Sequence, residues 1–148
     1  MSIAPGSLVE LVDTSVWVEV FRRGSRITLD EVVGQRDEVV TCLPVLQEVL
    51  QGFDDERAFA VAKLAFEAIP CLDSPLAGVV VDRAVDIYRR VRRAGITPRS
   101  SIDCLIAASA LRHGATVVHC DRDFVAIAPV VGLRQVNVAA LVRKGRSR

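Results

Sequence analysis

Three short runs constrain the fold most: Leu8–Val12, Val39–Cys42 and Ala115–Cys120. Each is nearly continuous in apolar, largely β-branched residues and too short for a buried helix, so each reads as a buried strand. Strands apolar along their whole length belong to parallel sheets covered on both faces, and parallel neighbours need crossover connections. The residues between the runs supply them, because their apolar positions recur at helical spacing.

After the first strand, Asp13-Thr14-Ser15 leads into Val16, Trp17, Val20 and Phe21, a helix closed by Arg22, Arg23 and Gly24. Thr28-Leu29-Asp30-Glu31 has the capping-box pattern of a second, short helix ending near Gly34. Pro44 suits the first turn of a third, with Val45, Leu46, Val49 and Leu50 as its stripe and Gly52 at its end. Asp54 or Asp55 caps a helix through Ile69, Pro75 opens a long one through Ala94, and Ser100 to Asp103 start another that runs to His113 and Gly114. Past Cys120 we expect a turn at Asp121–Phe124, then a weak helical turn, and a last short strand over Gly132–Val136. The expected architecture is α/β: one domain with a parallel central sheet of four to five short strands flanked by helices. Its core spans residues 8–138, and a basic tail follows over 139–148, with Gly145 to Arg148 expected to be loose.

No apolar run approaches the ~20 residues of a membrane span, so no membrane partner is expected. Met1 to Ser7 lack a basic segment ahead of Leu8, which points to the cytoplasm. Cys42, Cys71, Cys104 and Cys120 are widely separated and read as reduced, buried thiols rather than a zinc or redox motif. The net charge is +1, yet Arg83, Arg89, Arg90, Arg92, Arg93 and Arg99 crowd one segment. Such a patch is either a solvated helix face, with Asp82 and Asp86 pairing to Arg90, or a surface that steers a polyanion.

Four acids stand where strands end or beside apolar stripes: Asp13, Glu48, Asp103 and Asp121. Each also has a local role open to it. Asp13 suits a helix N-cap, Asp103 the acid of a capping box with Ser100, Asp121 an Asx-turn, and Glu48 a solvent-facing site. In an open α/β sheet, however, the carboxyl ends of the strands line one crevice, and Asp13 and Asp121 both sit at such ends. Carboxylates gathered there repel one another unless a cation or protons neutralise them. Oxygen ligands favour magnesium or manganese, which lower the pKa of bound water and offset charge on a phosphate.

Val12-Asp13-Thr14-Ser15, Leu46-Gln47-Glu48-Val49-Leu50-Gln51-Gly52, Ser101-Ile102-Asp103-Cys104-Leu105-Ile106-Ala107-Ala108 and Asp121-Arg122-Asp123-Phe124 together resemble the PIN-domain ribonucleases, and most closely VapC-type toxins. The resemblance runs from about Leu8 to Val138. It implies a bacterial, magnesium- or manganese-dependent endoribonuclease that cuts structured RNA, commonly tRNA or rRNA, leaves a 5′-phosphate and a 3′-hydroxyl, and is held inactive by a small VapB-type antitoxin. A homodimer and a toxin–antitoxin hetero-oligomer are the implied assemblies. Asp13, Glu48, Asp103 and Asp121 match the family's four acids, with Asp13 and Asp103 as direct metal ligands and Glu48 and Asp121 completing the shell. Thr14 or Ser15 matches its hydroxyl position, and Asp123 is an accessory acid or a turn former. A non-catalytic PIN module that binds RNA or a protein is the alternative, and the intact acids count against it. A phosphatase with Asp13 as nucleophile would need an acid where Ser15 stands.

Overall fold

The structure is a computed structural model that describes residues 8–22, 24–32 and 38–146. Its elements run β1 (Val9–Val12), α1 (Thr14–Phe21), α2 (Leu29–Val32), β2 (Glu38–Cys42), α3 (Leu43–Leu50), α4 (Glu56–Glu67), β3 (Cys71–Leu72), α5 (Gly78–Arg93), α6 (Ser101–His113), β4 (Thr116–His119), α7 (Arg122–Val131), β5 (Gln135–Asn137) and α8 (Ala139–Arg146). The five strands form one parallel sheet in the order β3-β2-β1-β4-β5. The expected α/β fold is therefore the observed one.

Strand order positions the site. From β1 the chain winds outward through β2 to β3, then returns to lay β4 on the other side of β1, so the direction of winding reverses between β1 and β4. At such a switch point the connections leave in opposite directions and a crevice opens beyond the carboxyl ends of the two strands. Val12 pairs with Val118, and the Asp13 N–H donates to the Val118 carbonyl at 2.9 Å, so the residues that follow β1 and β4 emerge side by side.

Beneath this crevice the core is continuous. Leu11, Val12, Val40, Val117 and Val118 are fully enclosed, with Val16, Val45, Ile106 and Phe124 closing over them from α1, α3, α6 and α7. α5 contributes a narrow apolar stripe, Val80, Ala84, Ile87 and Val91, at the spacing of one helical face, whereas α6 is buried over most of its surface from Asp103 to Ala110. Trp17 is anchored by its indole N–H, which donates to the Val12 carbonyl at 3.1 Å.

Several expectations need correction. The segment after Asp121 is a ten-residue helix, not a weak turn, because Phe124, Ile127 and Ala128 bury one face strongly enough to carry Pro129 inside it. The long helix opens at Gly78, with extended Ala77 before it, rather than at Pro75. Cys71–Leu72 adds an edge strand that two residues could not announce. The tail is helical to Arg146: Val142 is buried, Arg146 binds the buried Glu19 carboxylate, and a Cβ on Gly145 would lie 2.5 Å from Ile27 Cγ1. Residues 147–148 and the expected helix end near Gly34 lie outside the described residues.

Candidate active site

Asp13 and Asp121 occupy similar places, each an extended residue just before the helix that follows a strand, Asp121 one residue further from its strand than Asp13. Both act as N-caps. Asp13 Oδ2 accepts the Ser15 N–H at 3.0 Å and the Ser15 hydroxyl at 2.5 Å, while Asp121 Oδ1 accepts the Asp123 N–H at 2.9 Å. Capping and a place in the crevice are thus compatible, because these bonds engage one oxygen of each carboxylate and leave the other.

Asp103 comes from the third direction. Ser100 caps α6 by accepting the Ile102 N–H at 3.2 Å, and the first turn then carries Asp103 inward, where it is only 7 % exposed. Its Oδ2 is buried with no hydrogen-bond partner. A carboxylate oxygen held away from water without a donor is costly, so a proton or a cation belongs there. Burial, and then the charges of Asp13, Asp121, Asp123 and Glu48, push its carboxyl up to about 8. Asp13, 4 % exposed, is likewise raised by burial and by Asp121, against the opposing pull of the Ser15 hydrogen bonds.

Glu48 reaches the same place from α3, and Thr14 holds it there by donating its hydroxyl to Glu48 Oε1 at 3.0 Å. All four acids singled out in the sequence therefore converge. The tightest group is Asp103, Asp121 and Asp123, each of which offers a carboxylate oxygen within 4.8 Å of the others'. Asp123, ambiguous in the sequence, thus stands inside the cluster. Oxygen donors at this density, one of them orphaned, fit a hard divalent cation.

Two further residues position the acids: Ser15, marked in the sequence with Thr14 for its hydroxyl, and His119, which the sequence did not mark. Ser15 accepts the Cys120 N–H at 2.9 Å, so its hydroxyl joins the end of β1 to the end of β4. His119 is fully buried; its Nδ1 accepts the Asp121 N–H at 3.0 Å and its Nε2 lies 2.6 Å from Gln135 Oε1. An imidazole carrying its proton on Nε2 satisfies both contacts and fixes the backbone of Asp121. Nothing in local sequence distinguishes His119 from a buried His in a core. A third, Arg99, lies directly on the cluster, donating to Asp121 Oδ1 at 2.8 Å and to Asp123 Oδ2 at 3.3 Å.

Two apolar grooves flank the crevice. Val16, Trp17, Val45 and Val49 are core, but Val18, at 54 % exposure, and Phe21 face outward and with Phe53 and Ala58 line a cavity of about 740 Å³ rimmed by Glu48, Asp54 and Asp55. A smaller one of about 340 Å³ lies between α5 and α6, among Val81, Val85, Tyr88 and Leu105. No described helix is long and apolar enough to cross a membrane.

Residues 11–129 match the PIN domain family. Ribonuclease VapC11 of Mycobacterium tuberculosis is 40% identical over 137 residues, which cover 86% of this chain and 97% of that protein. Among solved structures, VapBC2 from Rickettsia felis bound to a DNA fragment from its promoter superposes with a TM-score of 0.71 at 15% identity, over 88% of this chain and 98% of that one. VapC20 of Mycobacterium tuberculosis, a sarcin-ricin loop cleaving toxin, gives a TM-score of 0.60 at 21% identity over 84% and 98% of the two chains. With its switch-point crevice, its clustered acids and this extent of likeness, the chain belongs to the VapC ribonucleases, toxins of the PIN-domain family.

Proposed function

We propose that this ribonuclease cleaves structured RNA, tRNA or rRNA, endonucleolytically in a magnesium- or manganese-dependent reaction. The observation that carries the metal is the buried, unpartnered Asp103 oxygen amid four further carboxylates. Asp13, Asp103, Asp121 and Glu48 would hold the ion, with Asp123 as an accessory acid. When bound, the ion supplies positive charge for a phosphate and a lowered pKa for water. The residues supply the rest. Ser15 and His119 keep Asp13 and Asp121 in place, and Thr14 aims Glu48 across the crevice and presents a hydroxyl to an incoming phosphate or water. The arginines on the outer face of α5, of which Arg90 pairs with Asp86 at 4.0 Å, favour an RNA backbone near the crevice. VapC20, which shares the fold, is a sarcin-ricin loop cleaving toxin, and this supports a structured substrate.

The partners follow from the grooves. The larger one, apolar with an acidic rim, suits a basic amphipathic helix, and we assign it to a VapB-type antitoxin; the structural likeness to VapBC complexes supports this. The smaller one is lined almost wholly by apolar side chains and suits a second copy of the chain, giving a homodimer and, with antitoxin, a hetero-oligomer. The deciding experiment incubates purified protein with total RNA and maps the cut ends. Discrete 5′-phosphate ends that need magnesium or manganese and vanish with a chelator are expected; undiminished cutting in excess chelator sinks the metal-dependent reading.

A further inference from the structure

Arg99 stands apart from the arginines near it in sequence. It lies in the connection between α5 and α6, four residues before Asp103, and its guanidinium lies along the exposed edge of the acid cluster. Its backbone N–H donates to Asp123 Oδ2 at 3.1 Å, its Nε to the same oxygen at 3.3 Å, and its Nη2 to Asp121 Oδ1 at 2.8 Å. The site thus carries a cation of its own.

We propose that the Arg99 guanidinium is a resident counter-cation that competes with the divalent ion for the Asp121–Asp123 edge and so sets the metal affinity of the site. The inference rests on the metal reading given above. Orientation of the two carboxylates does not depend on the guanidinium, because backbone donors already provide it: the Asp123 N–H on Asp121 Oδ1 and the Arg99 N–H on Asp123 Oδ2. What the side chain adds is charge. The side chain is 57 % exposed and its hydrogen bonds go to these two acids, so it is free to swing outward when an ion arrives. In metal-free protein it relieves repulsion among the carboxylates; beside a bound ion it is a like charge. Even at a water-like dielectric, a unit charge about 5 Å from a divalent ion weakens binding on the order of tenfold.

The test is a Mn²⁺ titration of the full chain, with free ion followed by its electron paramagnetic resonance signal and melting temperature recorded with and without metal. Arg99→Gln is expected to bind Mn²⁺ about tenfold more tightly than wild type and to melt lower when metal-free, while Arg99→Lys, which keeps the charge, stays within about twofold of wild type. Equal or weaker binding by Arg99→Gln overturns the proposal: weaker binding marks Arg99 as an orienting group, and an equal midpoint with uniformly lowered melting marks a structural one. Should Arg99→Gln fail to fold, Arg99→Lys decides, since a tenfold loss there shows that the fork and not the charge matters. Wild type that binds no Mn²⁺ sinks the metal reading and this inference with it, whereas wild-type binding that Arg99→Gln leaves unchanged sinks this inference alone.

Discussion

The Ser15 hydroxyl donates to Asp13 Oδ2 at 2.5 Å while accepting the N–H of Cys120, so one oxygen atom fixes an acid of the crevice and clasps the ends of two neighbouring strands. Ser15 is therefore a positioning residue for Asp13, and its removal leaves a partly buried N–H without its partner.

Ser15→Ala is accordingly expected to lower ribonuclease activity by about 10- to 100-fold, the usual effect of losing a group that orients a metal ligand, and to cost about 1–3 kcal/mol of stability. Ser15→Thr keeps the hydroxyl and should restore most of both. Activity profiles and thermal melts of the two variants check this, and wild-type activity in folded Ser15→Ala would show that Asp13 needs no support.

Asp103 gives a pH prediction with a definite sign. Its carboxyl is raised to about 8 in the folded chain, from a reference value of 3.8. Between those values the folded protein holds a proton that the unfolded chain has released, so metal-free stability should fall as pH rises from about 4 to 8. Asp103→Asn abolishes that fall, and at pH 8 without metal it should melt higher than wild type. Its activity should nevertheless drop on the order of a thousandfold, because a proposed metal ligand is lost. Melting curves across pH in chelator test the first part; a wild-type stability that climbs from pH 5 to 8 in step with the variant's contradicts it.

Asp73 should behave oppositely. It follows β3 with φ at +52°, and its Oδ1 meets His113 Nε2 at 3.0 Å and the Arg112 guanidinium at the C-terminal end of α6. Burial alone pushes its carboxyl up, but His113, Ser109 and Arg112 reverse this and hold it below the ordinary Asp range. A depressed value contributes stability above the unfolded value near 4, and that contribution disappears as pH falls through the folded one. Asp73→Asn tolerates the same backbone and deletes only the charge, so it should cost about 1–3 kcal/mol at pH 7 and progressively less as pH falls below about 4. A melting gap independent of pH would show that the ion pairs contribute nothing.

How far the sequence foretold these features follows from how local each signal is. β1, β2 and β4 are legible because a run of branched apolar residues has few other uses, and Asp13 and Asp121 are legible because they end two of those runs. β3 is two residues long, and Pro129 hides α7, whose stability comes from the burial of Phe124 and Ile127 against the sheet. Arg99 looks like one more member of an arginine cluster until the fold brings it within 2.8 Å of an acid 22 residues away. The docking of α8 rests on Glu19 and Ile27, both more than 100 positions distant from their partners. Contacts of that range leave no periodicity to read.

The two grooves allow the two proposed partners to be separated. Val18 lines the acidic-rimmed groove and Val85 the apolar one, and both are exposed. Placing a cation in an apolar contact removes buried area and leaves an unpaired charge, so one such change at an interface centre typically costs 2 kcal/mol or more, about thirtyfold in affinity. Val18→Arg is therefore expected to weaken capture by a co-expressed VapB-type antitoxin while the toxin remains dimeric, and Val85→Arg to give a monomer in light scattering that still binds antitoxin. Both should keep a folded, metal-responsive crevice, measured as the melting shift in Mn²⁺. If Val18→Arg dissociates the dimer and Val85→Arg releases the antitoxin, the assignment of grooves is reversed; if neither change alters assembly, both stripes are plain surface and the partners dock elsewhere.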